Sequence, residues 1–263
     1  MGMGFLENHP NWVLFSMLPA GSWLALGFLT LLFRVLAKPL GFEDIDFDIL
    51  DTATQNVMSG AYVVLGFVLV LVMATANDTD SNISKEASQI ESLDRLLIME
   101  GSPAAQTARQ TLLVYTKSIV SDEWKRLSGG PRNPSTRIYA DTLFTNLRAI
   151  EPLSNRQVAL FMDVIKTGDD IAQYRNLRMT SSQSRLPSLF WHLSYLTLLG
   201  VIIISALRLL RPSSIRIFAL AVQLAMISWL FATVMILDLP YLGQVKTSPE
   251  AFEKAIQIME SRL

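Results

Sequence analysis

Charged side chains are absent from four long windows of the sequence and frequent between them. The uncharged windows are residues 11–33, 57–76, 186–207 and 217–237. Each has about 20 residues or more, the length that an α-helix needs to cross about 30 Å of hydrocarbon. A buried core helix can be equally apolar, but four such windows in one chain are improbable in a soluble protein. The pattern therefore predicts four transmembrane helices.

The segment between the second and third windows, residues 77–185, has the apolar spacing of helices rather than strands. Its apolar residues recur every three or four positions, which places them on one helical face. The first such stripe is Ile83, Ala87, Ile90, Leu93 and Leu97. We expect an all-α membrane protein with a helical-bundle insert at 77–185 between two transmembrane hairpins, 1–76 and 186–237. Residues 238–263 would form a turn and a C-terminal amphipathic helix.

Composition excludes several chemistries. The net charge is −1, so no overall field draws the chain to nucleic acid. The absence of cysteine removes disulfides, thiolate metal sites and cysteine nucleophiles. The sequence also lacks a phosphate-binding glycine loop, a nucleophile elbow and a zinc-protease motif. We therefore expect neither an enzyme nor a cofactor.

An acidic run follows the first window, with alternating carboxylates at Asp44, Asp46 and Asp48. The alternation resembles the start of a calcium-binding loop, but Ile49 stands where that loop has glycine and Gln55 where it has glutamate. A solvated acidic turn is the favoured interpretation. A divalent cation site is the alternative.

One face of the second window is polar at both ends and apolar between them. Its residues are separated by four and three positions in alternation, which places them in one row along a helix. They are Asn56, Gly60, Val63, Phe67, Val70, Ala74 and Asn77. The row is either a packed seam whose ends reach water or a pore lining with a hydrophobic constriction. In the second case Phe67 would be the narrowest point.

The fourth window carries a strongly polar side chain, Gln223, near its middle. A polar group at this depth needs a partner, because hydrocarbon offers none. We expect Gln223 to make a hydrogen bond between helices.

Five segments, in order along the chain, carry the resemblance to a known family. They are GAYVVLGFVLVLV, KEASQIESLDRL, VYTKSIVSDEW, YRNLRMTSSQSRLPSLFW and LDLPYLGQVKTSPEAF. Together they resemble the bestrophin-like membrane proteins, a mainly bacterial family proposed as ion channels. The resemblance implies a motif of structural residues, namely Trp124, Arg178, Arg185, Asp238, Pro240, Tyr241 and Gly243. Leu239 departs from the family pattern, which often has a basic residue after the closing aspartate.

The resemblance also sets the functional expectation. It implies a multi-pass protein of the bacterial inner membrane that assembles with copies of itself, and true bestrophins are pentamers. True bestrophins conduct anions through a hydrophobic neck on the second helix. We therefore expect an oligomeric anion channel whose partners are the lipid bilayer, further copies of the chain and the permeating ions. The alternative is a non-conducting membrane scaffold or sensor whose helical domain binds a partner.

Basic residues predict the orientation of the chain in the membrane. Arg34 and Lys38 follow the first window, and the loop between the third and fourth windows holds Arg208, Arg211 and Arg216. Short loops rich in lysine and arginine stay in the cytoplasm. This bias places the helical insert and both termini outside, whereas the analogy with bestrophins places the insert inside.

Asp238 ends the fourth window, and Pro240 prevents the helix from continuing. A carboxylate at a helix C-terminus meets the negative end of the macrodipole, so it needs a compensating partner. We expect Asp238 to pair with Arg185, or with Arg178 as the second candidate.

Overall fold

The computed structural model describes residues 11–36, 46–127, 135–181, 186–238 and 247–262. These stretches form α-helices and one π-helical turn and contain no strand, which confirms the predicted all-α class. In chain order the helices are α1 (Asn11–Leu36), α2 (Phe47–Glu100), α3 (Pro103–Ser118), α4 (Trp124–Leu127), α5 (Ser135–Arg148), α6 (Asn155–Ser181), α7 (Ser188–Arg208), α8 (Ser214–Leu237) and α9 (Glu250–Glu260).

Four helices are long and apolar enough to cross a membrane, and they cover the four predicted windows except for residues 186 and 187, which precede α7. They are α1, α2, α7 and α8. The second of them differs from an ordinary span, because α2 continues without a break for 54 residues from Phe47 to Glu100. It ends at Gly101, whose φ of +74° is the left-handed conformation that terminates helices and that glycine adopts without strain.

The described chain divides into two compact units. The first contains residues up to Ala76 and residues 186–238. Its core draws on all four membrane helices, for example through Leu26, Leu65, Val201 and Leu224. A buried hydrogen bond of 3.0 Å from Ser228 Oγ to Ser22 Oγ also joins α8 to α1. Small hydroxyl residues are typical of such contacts between membrane helices.

The second unit contains residues 77–181 and 247–262 and has a core of its own. Helices α3 and α5 pack closely, and fully buried leucines fill the space between them and the second half of α2. Ser102 begins α3, where its hydroxyl accepts a hydrogen bond from Ala105 N and Pro103 occupies the first helical position. The unit is therefore a helical bundle in which α3 begins at a local capping residue.

The apolar spacing predicts one uninterrupted helix through Tyr115, Ile119 and Trp124. The structure instead has a π-helical turn at Ile119–Glu123 between α3 and α4. This turn places Glu123 in the interior, where its side chain is almost fully buried. Single π-turns are frequent at functional sites, because they redirect one side chain out of helical register.

Candidate functional site

The predicted row on the second window lies on the surface of the chain. All seven residues are exposed, and Val63, Phe67 and Val70 have 71%, 62% and 66% of their surface free. The opposite side of α2 is buried through Met58, Leu65, Val68 and Val72. We call the seven exposed residues the α2 face. Because they are exposed, no seam that buries them forms within a single chain.

The α2 face differs from the exposed side of α1. On α1, one row of exposed side chains is large and apolar, namely Leu24, Phe28, Leu31 and Val35, although small residues elsewhere on α1, such as Gly27, are exposed too. The α2 face has asparagine at both ends and includes Gly60 and Ala74. Large apolar side chains suit lipid, whereas small residues mark surfaces where another helix comes close. The two exposed surfaces therefore suit different surroundings.

Five ionisable side chains meet inside the second unit, and we call them the Arg178 network. They are Glu86 on α2, Tyr115 on α3, Glu123 in the π-turn, and Arg175 and Arg178 on α6. Arg178 binds both oxygens of Glu86, with Nε at 2.7 Å and Nη2 at 3.2 Å. The same Nη2 donates to Glu123 at 2.9 Å. Arg175 donates to the other Glu123 oxygen at 3.0 Å, and Tyr115 donates to Glu86 at 3.2 Å.

Two aromatic rings lie beside the Arg178 guanidinium. Its Cζ is 6.0 Å from the ring centre of Trp124 and 5.5 Å from that of Phe252 on α9. Nη1 has no hydrogen-bond acceptor among the described residues. A ring face attracts a desolvated cation, so the two rings compensate in part for this missing bond.

Burial and charge act in opposite directions on Arg178. Burial alone would lower the pKa of its guanidinium, because a low dielectric disfavours the charged form. The carboxylates of Glu86 and Glu123 outweigh that effect and hold the pKa well above its ordinary value. Arg178 is therefore a permanent buried cation, and with Arg175 it balances the two carboxylates.

Burial also changes the pKa of Tyr115. It raises the pKa of the hydroxyl well above the ordinary value, and the charge of Glu86 adds to this, while Arg178 and Arg175 oppose it. An unfolded tyrosine ionises near pH 10. The unfolded state therefore loses this proton first, and the stability that the neutral hydroxyl contributes is lost as the pH rises above about 10.

We expect Tyr115→Phe to flatten this alkaline loss of stability. Between about pH 10 and 11 the free energy of unfolding of the variant should fall less steeply, by roughly 1 kcal/mol per pH unit, because an unfolded tyrosine goes from about half to about nine-tenths ionised over this interval. Urea titrations of both proteins in detergent at several pH values measure the slope. If the free energy of unfolding falls equally steeply with pH in both proteins, folding does not raise the pKa of Tyr115.

The model of the Bestrophin-like domain matches residues 20–252, which include every member of the Arg178 network and the whole α2 face. The chain belongs to the bestrophin-like family. It is a membrane protein, with four helices able to span a bilayer.

A transporter protein is also similar to the chain in sequence. The bestrophin-like chain is 24% identical over 180 residues to the energy-coupling factor transporter transmembrane protein EcfT of Macrococcus caseolyticus. That similarity covers 65% of this chain and 67% of the relative. No solved structure matches the chain.

The family segments converge in the fold. Glu86, Glu123, Arg178 and Phe252 come from four of the five segments that carry the resemblance, and all four meet in the Arg178 network or beside it. Of the residues in or beside the Arg178 network, sequence reasoning identified Trp124 and Arg178 as structural residues. Glu86, Tyr115 and Glu123 were missed, although a carboxylate on an otherwise apolar helical stripe is a sign of burial with a partner.

The placement of Arg178 corrects one expectation. It was the second candidate partner for Asp238, but its guanidinium binds Glu86 and Glu123. Its Nε and Nη2 donate to the two oxygens of Glu86, and Nη2 also donates to Glu123, so these donors are occupied by carboxylates other than Asp238. The first candidate, Arg185, lies outside the described residues, so that pairing stays a prediction.

Asp238 itself joins the end of α8 to the start of α7. Its Oδ1 accepts a hydrogen bond of 2.6 Å from the backbone N–H of Leu186, and its Oδ2 accepts one of 3.3 Å from Trp191 Nε1. The start of a helix carries unpaired N–H groups and positive dipole charge. The favourable interaction of the carboxylate with the start of α7 therefore offsets part of its unfavourable interaction with the C-terminus of α8. Pro240, Tyr241 and Gly243 lie outside the described residues.

The acidic run before α2 caps that helix. Asp46 Oδ1 accepts hydrogen bonds from the backbone N–H groups of Asp48 and Ile49, at 2.9 and 3.4 Å. Asp44 lies outside the described residues. Within the described part of the chain, no three histidine, aspartate or glutamate side chains are grouped to hold a metal ion.

Proposed function

We propose that the chain assembles with copies of itself into an anion channel whose pore is lined by the α2 face. The observation that carries this proposal is the exposure of all seven positions of the row on a helix whose opposite side is buried. One chain cannot enclose a pore with a single helical face. Cyclic symmetry would bring the same face of every copy around one axis, and the family resemblance suggests five copies.

Three residues near the middle of the α2 face would form the constriction. Val63, Phe67 and Val70 are exposed, apolar and about one helical turn apart along the row. A ring of such side chains gates conduction by excluding water from a narrow passage. The Phe67 ring also lies 6.4 Å from the ring of Phe190 on α7, which would support it from one side.

The choice of an anion rests on the charges along the α2 face. Cation channels commonly use rings of aspartate or glutamate, and none of the seven positions holds a carboxylate. Asn56 and Asn77 at the two ends offer amide N–H groups, which can donate hydrogen bonds to an anion. This supports the anion selectivity that the resemblance implies.

Cross-linking between copies tests the arrangement, and the absence of native cysteine leaves no background. Gly60→Cys and Ala74→Cys should each form disulfide-linked dimers under mild oxidation in membranes, because both positions face the axis. The matched control is Phe28→Cys on the large apolar side of α1, which should stay monomeric. Cross-linking of the control alone would place the axis on α1 and contradict the pore assignment.

A second candidate function is a non-conducting membrane scaffold whose helical domain binds a partner. The similarity to a protein that is named as the transmembrane protein of a transporter favours this candidate. The separate core of the second unit also suits a binding domain. Both candidates allow self-association, so conduction is what distinguishes them.

We further propose that the helical insert lies on the outer side of the cytoplasmic membrane of a bacterium. The arginine-rich loop between α7 and α8 supports this orientation, because such loops stay in the cytoplasm. Leu153→Cys, at an exposed position of the insert, should react with an impermeant maleimide on intact spheroplasts. Ser214→Cys, at the exposed start of α8, should react only after permeabilisation. The opposite labelling pattern would place the insert in the cytoplasm.

A further inference from the structure

A polar pocket of about 410 Å³ opens in the membrane-spanning unit between α2, α7 and α8. Its wall includes two charged residues, Asp51 and Arg208, and the polar side chains of Thr54, Tyr62 and Gln223. No residue of the pocket belongs to the α2 face or to the Arg178 network. The pocket is therefore a feature that the proposed pore does not use.

The pocket reaches into the depth of the hydrocarbon. Tyr62 and Gln223 lie roughly 8–9 Å inside the uncharged windows that begin at residues 57 and 217, at a helical rise of 1.5 Å per residue. Polar side chains at such depth are costly, and where they occur they mark sites that bind or conduct. A volume of this size is enough for a small ligand or a lipid headgroup.

Three buried polar atoms in the pocket lack a hydrogen-bond partner among the described residues. They are Asp51 Oδ1, Arg208 Nε and Gln223 Oε1. Arg208 Nε lies 2.7 Å from Asp51 Oδ1, so the two charges attract, but the pair is not aligned as a hydrogen bond. The hydrogen bond expected between Gln223 and another helix is not made by its Oε1. The site thus offers one acceptor without a partner, Gln223 Oε1, beside the ion pair of Asp51 and Arg208.

The charges of the pocket restrict the ligand. Asp51 and Arg208 cancel, so a ligand of one sign would leave the pocket with a net charge. A zwitterion leaves the site neutral. Its ammonium N–H groups would donate to Gln223 Oε1 and to the Asp51 carboxylate, and its oxyanion would accept from the Arg208 guanidinium. We propose that the polar pocket binds the ammonium-and-oxyanion group of a zwitterion.

This chemistry has two sources, the headgroup of phosphatidylethanolamine in the bilayer and a free zwitterion in water. Both carry N–H donors. Phosphatidylcholine provides a matched control, because its quaternary ammonium has the same charge but no N–H group to donate to Gln223.

Lipid binding can be measured by native mass spectrometry of the full chain purified in detergent. The apparent affinity should decrease stepwise from phosphatidylethanolamine through its mono- and dimethylated forms to phosphatidylcholine, by about tenfold or more in total, because each methyl removes a donor. Gln223→Met should lose this preference. Ser228→Ala, which removes a buried hydrogen bond elsewhere in the same unit, should keep it.

The soluble source is tested by calorimetry of the wild-type protein in phosphatidylcholine nanodiscs. Glycerophosphoethanolamine is the probe, and glycerophosphocholine is its control. Heat from the first alone assigns a free zwitterion, and a preference seen only with the lipids assigns a lipid headgroup. Equal binding across the methylated lipids, together with no difference between the two soluble probes, would overturn the proposal without any variant.

Discussion

Replacing Arg178 by methionine should lower the free energy of unfolding by about 3–5 kcal/mol, as removal of one partner from a buried ion pair does. Arg178 is fully buried and binds Glu86 and Glu123. Without it, Arg175 still balances Glu123, but among the described residues the buried charge of Glu86 keeps only the hydroxyl of Tyr115 as a donor. The measurement is urea denaturation in detergent, followed by circular dichroism.

Two variants test the explanation. Glu86→Gln in the Arg178→Met background should restore part of the stability, because it removes the charge that lost its partner. Arg137→Met is the matched arginine control. Its side chain is 78% exposed and only approaches Asp141, at 4.0 Å, so we expect a loss of about 0–1 kcal/mol. Equal losses for Arg178→Met and Arg137→Met would contradict the buried network.

Replacing Phe67 by alanine should raise single-channel conductance on the order of tenfold, which corresponds to a barrier lowered by about 1.4 kcal/mol. The reason is that a smaller side chain widens the dry constriction and lets water and ions enter. Because Phe67 is exposed in the chain, its loss should change the free energy of unfolding little. A residue buried in a seam would instead leave a cavity and cost roughly 3–5 kcal/mol.

The control for Phe67→Ala is Phe28→Ala on α1, where an equally large ring is 68% exposed. Its truncation removes the same atoms from a surface that we assign to lipid, so conductance should remain at the wild-type level. If Phe67→Ala folds normally and conducts like the wild type, Phe67 does not form the constriction.

The membrane helices were predictable because charge exclusion is a local property of the sequence. Each uncharged window indicates a membrane-spanning helix without information from the rest of the chain. The caps of α2 and α3 are likewise formed by neighbouring residues, such as Asp46 and Ser102. The alignment of the seven residues of the α2 face also follows from their regular spacing on one helix, whereas their exposure does not. These features require no knowledge of how distant segments meet.

The Arg178 network could not be predicted in the same way. Glu86 and Arg178 are 92 residues apart, and their contact depends on how α2 and α6 pack. The position of Glu123 depends on a π-turn, which the spacing of apolar residues does not reveal. The family segments contained all these residues, but resemblance alone did not say that they meet. Arg178 was consequently named as the second candidate partner of Asp238, whereas it binds Glu86 and Glu123.

The central claim is that the chain conducts anions through a pore lined by α2. Purified protein in planar bilayers, with different potassium chloride concentrations on the two sides, tests it most directly. We expect discrete currents whose reversal potential is close to the equilibrium potential of chloride. A bilayer that contains the folded oligomer but carries no current would contradict the channel and favour the scaffold, and reversal near the potassium potential would contradict anion selectivity.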